Sequence, residues 1–93
     1  MQHDLQDLRK SLDAIDNALI DLLAERFRVT QKVGEYKKAH HLPPVDESRE
    51  AAQFARIDAL ATQAGLNPEF ASKMLRLIID EVVKNHKALA IAK

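Results

Sequence analysis

The feature that most constrains this chain is a stretch from Asp4 to Lys38 in which apolar residues recur at alternating intervals of three and four. The apolar positions are Leu5, Leu8, Leu12, Ile15, Leu19, Leu22, Val29, Val33 and Tyr36. The stretch contains no proline and one glycine, Gly34. This spacing is typical of one long amphipathic helix with coiled-coil character.

One position of the repeat, between Leu22 and Val29, is occupied by Arg26. A desolvated charge is costly, so Arg26 needs either a carboxylate of the protein or an anionic ligand. Lys37 lies eleven residues later on the same helix face, roughly 16 Å along the axis. The two cations could bracket a small, multiply charged anion. Alternatively, Lys37 extends along the surface and Arg26 pairs with a nearby acid, such as Glu25 or Asp46.

The length of this first helix indicates a homodimer. A helix from about Asp4 to His40 would be roughly 50 Å long, whereas the mean globular helix has about 11–12 residues. The remaining chain is too short to cover its whole apolar stripe, so a second copy is expected to do so. Arg9 lies roughly 25 Å before Arg26 along the same rod. In an antiparallel pair that crosses near residue 20, Arg9 of one chain would face the interval from Arg26 to Lys37 of the other, giving two symmetric sites.

Two consecutive prolines, Pro43 and Pro44, end the first helix because they remove backbone donors and disfavour the α conformation before them. Asp46 has the side chain of a helix N-cap. The apolar periodicity then predicts a second helix over about Glu47 to Ala64 and a third over about Pro68 to Ala90.

The link between these two helices has strong stop and start signals. Gly65 can adopt the left-handed conformation that ends many helices. Asn67 can cap the next helix, and Pro68 suits its first turn. Since no strand pattern occurs, we expect an all-α fold of three helices in a single domain, residues 1–93.

Composition excludes several classes of partner. Fourteen basic residues balance fourteen acidic ones and aromatics make up 4%, so binding of nucleic acid is not expected. The N-terminus is polar, which argues against a signal peptide, and no apolar run approaches the ~20 residues that span a bilayer. The chain has no cysteine, and His40 and His41 lack neighbours at metal-ligand spacing. We therefore expect a cytoplasmic protein with no membrane contact, metal or cofactor.

Several further residues have both a structural and a functional interpretation. Asp46 is either a simple cap or a ligand-binding residue. Arg49 is a cation near a helix N-terminus, which capping does not explain. His86, one turn after Val82 on the third helix, is either a satisfied core residue or a donor to a ligand atom that gains negative charge. Gly34 is either merely tolerated or required by the close approach of a ligand or another helix.

Taken together, the motifs resemble the all-helical class of chorismate mutase. The likeness extends from about Leu5 to Leu89 and rests on LRKSLDAIDNALIDLLAERFRVTQKVGEYK, a Pro-Val-Asp loop, REAA and LRLIIDEVVKNHKAL. The resemblance implies an intertwined antiparallel homodimer with two active sites, each completed by an arginine from the other subunit. It also implies, without a cofactor, the Claisen rearrangement of chorismate to prephenate in the biosynthesis of phenylalanine and tyrosine.

The resemblance assigns roles to three cations. Arg9 matches the arginine that crosses from the partner subunit to the substrate. Arg26 matches the principal carboxylate-binding arginine. Lys37 matches the lysine that contacts both a carboxylate and the ether oxygen of the substrate.

The remaining substrate contacts also follow from the resemblance. Arg49 and Glu50 match an Arg-Glu pair whose glutamate accepts a hydrogen bond from the substrate hydroxyl, and Asp46 matches an aspartate beside the same group. His86 stands where a Gln or Glu usually donates to the ether oxygen. Val82 stands where a Ser often helps to hold a carboxylate. On this basis Arg26, Lys37 and His86 are the expected catalytic residues.

Two other functions are compatible with the sequence. Isochorismate-pyruvate lyases use the same scaffold and a similar cationic pocket. A non-catalytic dimerisation or regulatory module with this fold would form dimers without turnover. The Arg-Glu pair and Asp46 favour the mutase, because they match residues that hold the hydroxyl of chorismate.

Overall fold

The computed structural model describes residues 4–92 and contains three helices within them. They are α1, Leu5–Ala39; α2, Glu47–Ala64; and α3, Pro68–Ile91. Residues 4–92 include no strand, and none of their helices is long and apolar enough to cross a bilayer. The prediction of an all-α, three-helix chain is confirmed, and every predicted boundary lies within one residue of the observed one.

The chain divides into two compact units between Thr30 and Gln31. The described part of the N-terminal unit is residues 4–30, which comprise Asp4 and the part of α1 up to Thr30. Its apolar stripe is open, since side chains from Leu5 to Leu22 on that stripe are 49% to 64% exposed. Apolar area left in water contributes no stabilisation to a single chain. The N-terminal unit therefore presents an exposed apolar face.

The C-terminal unit contains the end of α1 and the packed pair α2 and α3. Its apolar core is small and consists of Ala61, Ala71, Leu75 and Ile79, which are 2% to 5% exposed. Two of these residues are alanines, whose short side chains allow the backbones of α2 and α3 to approach closely. One buried polar residue, His86, lies on the same helix as most of this core.

The ends of α2 and α3 are stabilised by the capping residues that the sequence predicts. Asp46 accepts a hydrogen bond from the backbone N–H of Arg49 at 3.0 Å, and Asn67 accepts one from the N–H of Glu69 at 2.9 Å. Gly65 ends α2 in the left-handed conformation, with φ of 75°. These local interactions fix where the loops before α2 and α3 begin and end.

We expect Gly65→Ala to destabilise the fold through backbone conformation alone. A Cβ at Gly65 would meet nothing within 4 Å, but φ of 75° is unfavourable for a residue with a side chain. The expected loss in free energy of unfolding is about 1 kcal/mol, measured by urea denaturation at equal chain concentration. Gly65→Asn is the matched control and should lose less, because Asn tolerates this conformation better. Equal stability of the Ala variant and the wild type would contradict the assignment.

Candidate active site

The eight residues expected to bind substrate are distributed over both units. Arg9 and Arg26 lie in the N-terminal unit. The other six lie in the C-terminal unit: Lys37, Asp46, Arg49, Glu50, Val82 and His86.

Arg26 occupies the missing position of the apolar repeat, and its side chain is half-buried. Its Nη1 atom is buried and has no hydrogen-bond partner among residues 4–92. The interpretation in which a carboxylate of the same chain neutralises this nitrogen is therefore not supported. Leaving a buried donor unsatisfied costs on the order of 1–3 kcal/mol, and an anionic ligand would recover this energy. The environment of Arg26 thus favours the ligand-binding interpretation.

Arg9 lies near the start of α1, and its side chain is exposed. It is seventeen residues before Arg26, roughly 25 Å along the helix axis. Within one chain the two guanidinium groups cannot grip the same small molecule. The contact of Arg9 with a substrate bound in the site of a partner subunit therefore stays a prediction.

Lys37 turns toward the loop that follows α1. Its Nζ atom donates a hydrogen bond to the carbonyl oxygen of Pro44 at 3.2 Å. Because a carbonyl is neutral, this contact orients the ammonium group and leaves its charge available to an anion. Lys37 also borders an open cavity of about 390 Å³, which is lined by Lys37, Leu42, Pro43, Val45, Asp46, Glu47 and Ser48. The loop thereby brings Lys37 and Asp46 to one cavity, a proximity that the family resemblance implied.

The first turn of α2 carries Asp46, Arg49 and Glu50. One carboxylate oxygen of Asp46 is engaged in capping, which confirms its structural role. The Arg49 side chain is exposed, whereas Glu50 is half-buried. Helix geometry places Asp46 and Glu50 one turn apart, so both can border the same side of α2.

The sequence analysis missed Arg76, a residue of α3 that contacts Glu50. Its Nη1 atom lies 3.3 Å from Glu50 Oε1 and 3.4 Å from Asp80 Oδ1. Its guanidinium carbon also lies 4.6 Å from the centroid of the Phe54 ring. The only sequence signal was the acid four residues later on the same helix, Asp80. The contact with Glu50 depends on the packing of α2 against α3.

His86 is buried, with 5% exposure, and lies against Gly34 of α1. A Cβ on Gly34 would come within 2.7 Å of His86 Cδ2 and 2.8 Å of Leu89 Cδ1. The close approach of another helix is therefore the reason for glycine at this position. Val82, one turn before His86, is half-buried. Burial supports a packing role for His86, while its role as a donor to a ligand remains a prediction.

The histidine pair after α1 makes local contacts. The His40 ring stacks on Tyr36 with centroids 3.9 Å apart, and its Nδ1 atom lies 2.9 Å from the Tyr36 carbonyl oxygen. His41 is exposed and has φ of 55°. Residues 4–92 contain no group of three or more His, Cys, Asp or Glu side chains that could hold a metal ion.

Gly34→Ala tests the packing of α1 against α3, because the sign of its effect on the free energy of unfolding depends on that packing. Helix propensity alone predicts stabilisation by up to about 1 kcal/mol. We instead expect destabilisation of about 1–3 kcal/mol, because the added methyl group would overlap the buried His86 ring. Urea denaturation gives the sign, and Ala24→Gly at an exposed interior position of α1 measures the propensity term separately. Stabilisation by Gly34→Ala would contradict the observed contact.

The described residues form an all-α protein with a buried, unpartnered guanidinium nitrogen on its longest helix. Comparison with known proteins identifies the particular family. The family model described as chorismate mutase type II matches residues 8–87. The chain therefore belongs to the chorismate mutase type II family.

Individual relatives agree with this assignment. The T-protein of Enterobacter agglomerans is 36% identical over 81 residues, which cover 87% of this chain and 22% of the relative. The 4-amino-4-deoxychorismate mutase of Streptomyces pristinaespiralis is 34% identical over 80 residues, covering 86% of this chain and 62% of the relative. The protein of that name from Streptomyces venezuelae is 30% identical over 83 residues, covering 89% of this chain and 81% of the relative. The chain thus spans less than two thirds of the first two relatives.

Proposed function

We propose that the chain is a chorismate mutase, an isomerase that converts chorismate to prephenate in phenylalanine and tyrosine biosynthesis. Family membership over residues 8–87 supports this reaction. The single structural observation that carries it is Arg26 Nη1, a buried cationic donor without a partner among residues 4–92. Chorismate is a dicarboxylate, so it supplies the acceptor that this nitrogen lacks.

The rearrangement requires orientation and charge stabilisation, and no proton transfer. One carbon–oxygen bond breaks while one carbon–carbon bond forms, within a single molecule and without a covalent enzyme intermediate. Holding the flexible dianion in its compact reactive shape lowers the barrier through an orientation effect. Donors aimed at the ether oxygen stabilise the negative charge that develops there. This chemistry matches a site of cations and hydrogen-bond donors, and we propose no metal or cofactor.

The proposed roles divide the site into a carboxylate end and an ether-oxygen centre. Arg26 of one subunit and Arg9 of the other bind the two carboxylates. Lys37 and His86 donate to the ether oxygen, and Lys37 also contacts a carboxylate. The neutral hydrogen bond of Lys37 to Pro44 supports this role, since the ammonium charge is not compensated by that contact.

At the other end of the substrate, Glu50 accepts a hydrogen bond from the C4 hydroxyl group, with Asp46 and Arg49 beside it. Val82 borders a carboxylate. The cavity next to Lys37 and Asp46 supports the placement of this end near the start of α2.

We further propose that the chain acts as an antiparallel homodimer in the cytoplasm. The 35-residue helix α1 carries apolar side chains, from Leu5 to Tyr36, that are 42% to 64% exposed. A second copy covers this face best, because two identical stripes are complementary when they cross around a twofold axis. In that arrangement each exposed Arg9 reaches the site of the other subunit, and the whole chain acts as one catalytic domain.

A second candidate substrate comes from the relatives named 4-amino-4-deoxychorismate mutase. That molecule carries an amino group at C4 in place of the hydroxyl group and is otherwise the same. An assay of chorismate, 4-amino-4-deoxychorismate and isochorismate, each with product identification, distinguishes the two mutase activities from each other and from the release of pyruvate from isochorismate. Conversion of chorismate to prephenate is the expected result. No turnover of any of the three would contradict the proposed function.

Arg26→Ala should lower kcat/KM for chorismate by at least about 100-fold, because it removes a charge-assisted contact to a carboxylate. Circular dichroism and sedimentation should show unchanged helicity and oligomeric state. Arg28→Ala is the matched control, since it removes the same charge from an exposed position in the same turn of α1. Near-normal activity of the Arg26 variant would remove the ligand-binding interpretation.

Shared sites predict complementation between two inactive variants. Arg9→Ala and Arg26→Ala chains, mixed and allowed to exchange, should form heterodimers in which one of the two sites is intact. Random exchange would restore about one quarter of wild-type activity. Mixing Arg9→Ala with a chain that carries both substitutions is the control and should restore none. Absence of recovery after verified exchange would rule out sites completed across the dimer.

A further inference from the structure

The carboxylate of Glu50 is paired with a cation on the neighbouring helix. Arg76 Nη1 lies 3.3 Å from Glu50 Oε1, and the Glu50 side chain is only 20% exposed. The second oxygen, Oε2, accepts no hydrogen bond from the part of the chain that the structure describes. Glu50 is therefore a carboxylate whose charge is partly compensated by a cation that it shares with Asp80, and it retains one oxygen for a ligand.

Arg76 is held in this position by contacts on two other sides. Its guanidinium group lies over the Phe54 ring, one turn after Glu50 on α2, at 4.6 Å from the centroid. Asp80, one turn later on α3, lies 3.4 Å from the same Nη1 atom. The side chain of Arg76 is 49% exposed, so its contacts orient the group without burying it. The cation thus has a defined location beside Glu50.

A carboxylate with a cation beside it discriminates between a neutral and a cationic donor, because the cation repels a second positive charge. A hydroxyl group can donate to Oε2 without changing the charge of the Glu50–Arg76 pair. A primary amine is mostly protonated near neutral pH, and its ammonium group would bind Glu50 with the positive charge of Arg76 close by. Removing Arg76 would leave Glu50 as an uncompensated anion, which favours the ammonium group.

We propose that Arg76 is a specificity-determining residue, which pairs with Glu50 so that the site prefers a hydroxyl group over an ammonium group at C4 of the substrate. This inference rests on the proposed function, in which Glu50 faces C4. Arg76 acts through Glu50 and is a positioning residue with no contact to the reacting atoms.

The test compares chorismate with 4-amino-4-deoxychorismate at neutral pH and low salt. For each variant, kcat/KM is measured for both molecules; if the amino compound is not converted, its inhibition constant against chorismate is used. Arg76→Gln should shift the preference toward the amino compound by about 3- to 10-fold. The effect is modest because solvent screens the charge of a half-exposed side chain. Arg76→Lys keeps the charge and should shift the preference by less than about 2-fold.

Two controls separate this effect from a general loss of charge or of fold. Arg56→Gln removes a cation from an exposed position of α2 and should leave the preference unchanged. In a Glu50→Gln background, Arg76→Gln should cause no further change in preference, because the two residues act as one unit. A purely structural role would lower the activity toward both substrates equally.

The outcomes distinguish this inference from the proposed function. If the wild type converts neither substrate, the proposed function fails and this inference fails with it. If the wild type converts chorismate and Arg76→Gln leaves the preference unchanged, only the role of Arg76 is overturned. Should Arg76→Gln not fold, Arg76→Met replaces it; loss of the fold in both would assign Arg76 to stability and overturn the inference.

Discussion

A positive charge inside an apolar stripe is the constraint on which the rest of this protein depends. Arg26 replaces one apolar residue in the repeat of α1, and its buried Nη1 has no acceptor among residues 4–92. A protein selected only for stability would place an apolar side chain there, because an unsatisfied buried donor is destabilising. The destabilisation is explained if Arg26 binds a carboxylate of a dianionic substrate. The binding energy of that contact then helps to orient the substrate for reaction.

The C-terminal unit shows how a small core can hold polar groups in defined positions. Gly34 allows α3 to approach α1 so closely that His86 is buried against the backbone. Lys37, one turn later on α1, is oriented by the carbonyl group of Pro44. These contacts limit the rotamers of both side chains. In the proposed roles of Lys37 and His86 as donors, such preorganisation would be favourable, because fixed donors need little reorganisation during reaction.

Charge compensation distinguishes the two ends of the proposed site. At the proposed carboxylate end, Arg26 Nη1 lacks a partner within the described chain, and in the proposed complex the substrate would supply the opposite charge. At the hydroxyl end, Glu50 already has Arg76 as its partner. A dianion with a neutral C4 substituent fits this distribution of charge.

The sequence by itself determined the features that depend on neighbours along the chain. Apolar periodicity predicted all three helices, and Asp46, Gly65 and Asn67 marked their ends, because capping and turn formation involve residues within one helical turn. The family resemblance also identified the residues of the proposed site, including Arg26, although their roles remain proposals.

Only the tertiary structure decided which side chains meet across helices. It showed that Gly34 contacts His86, that Glu50 pairs with Arg76, and that Arg26 Nη1 lacks a partner in residues 4–92. Such contacts depend on the packing distance and rotation of helices that are far apart in the chain, and apolar periodicity specifies neither quantity.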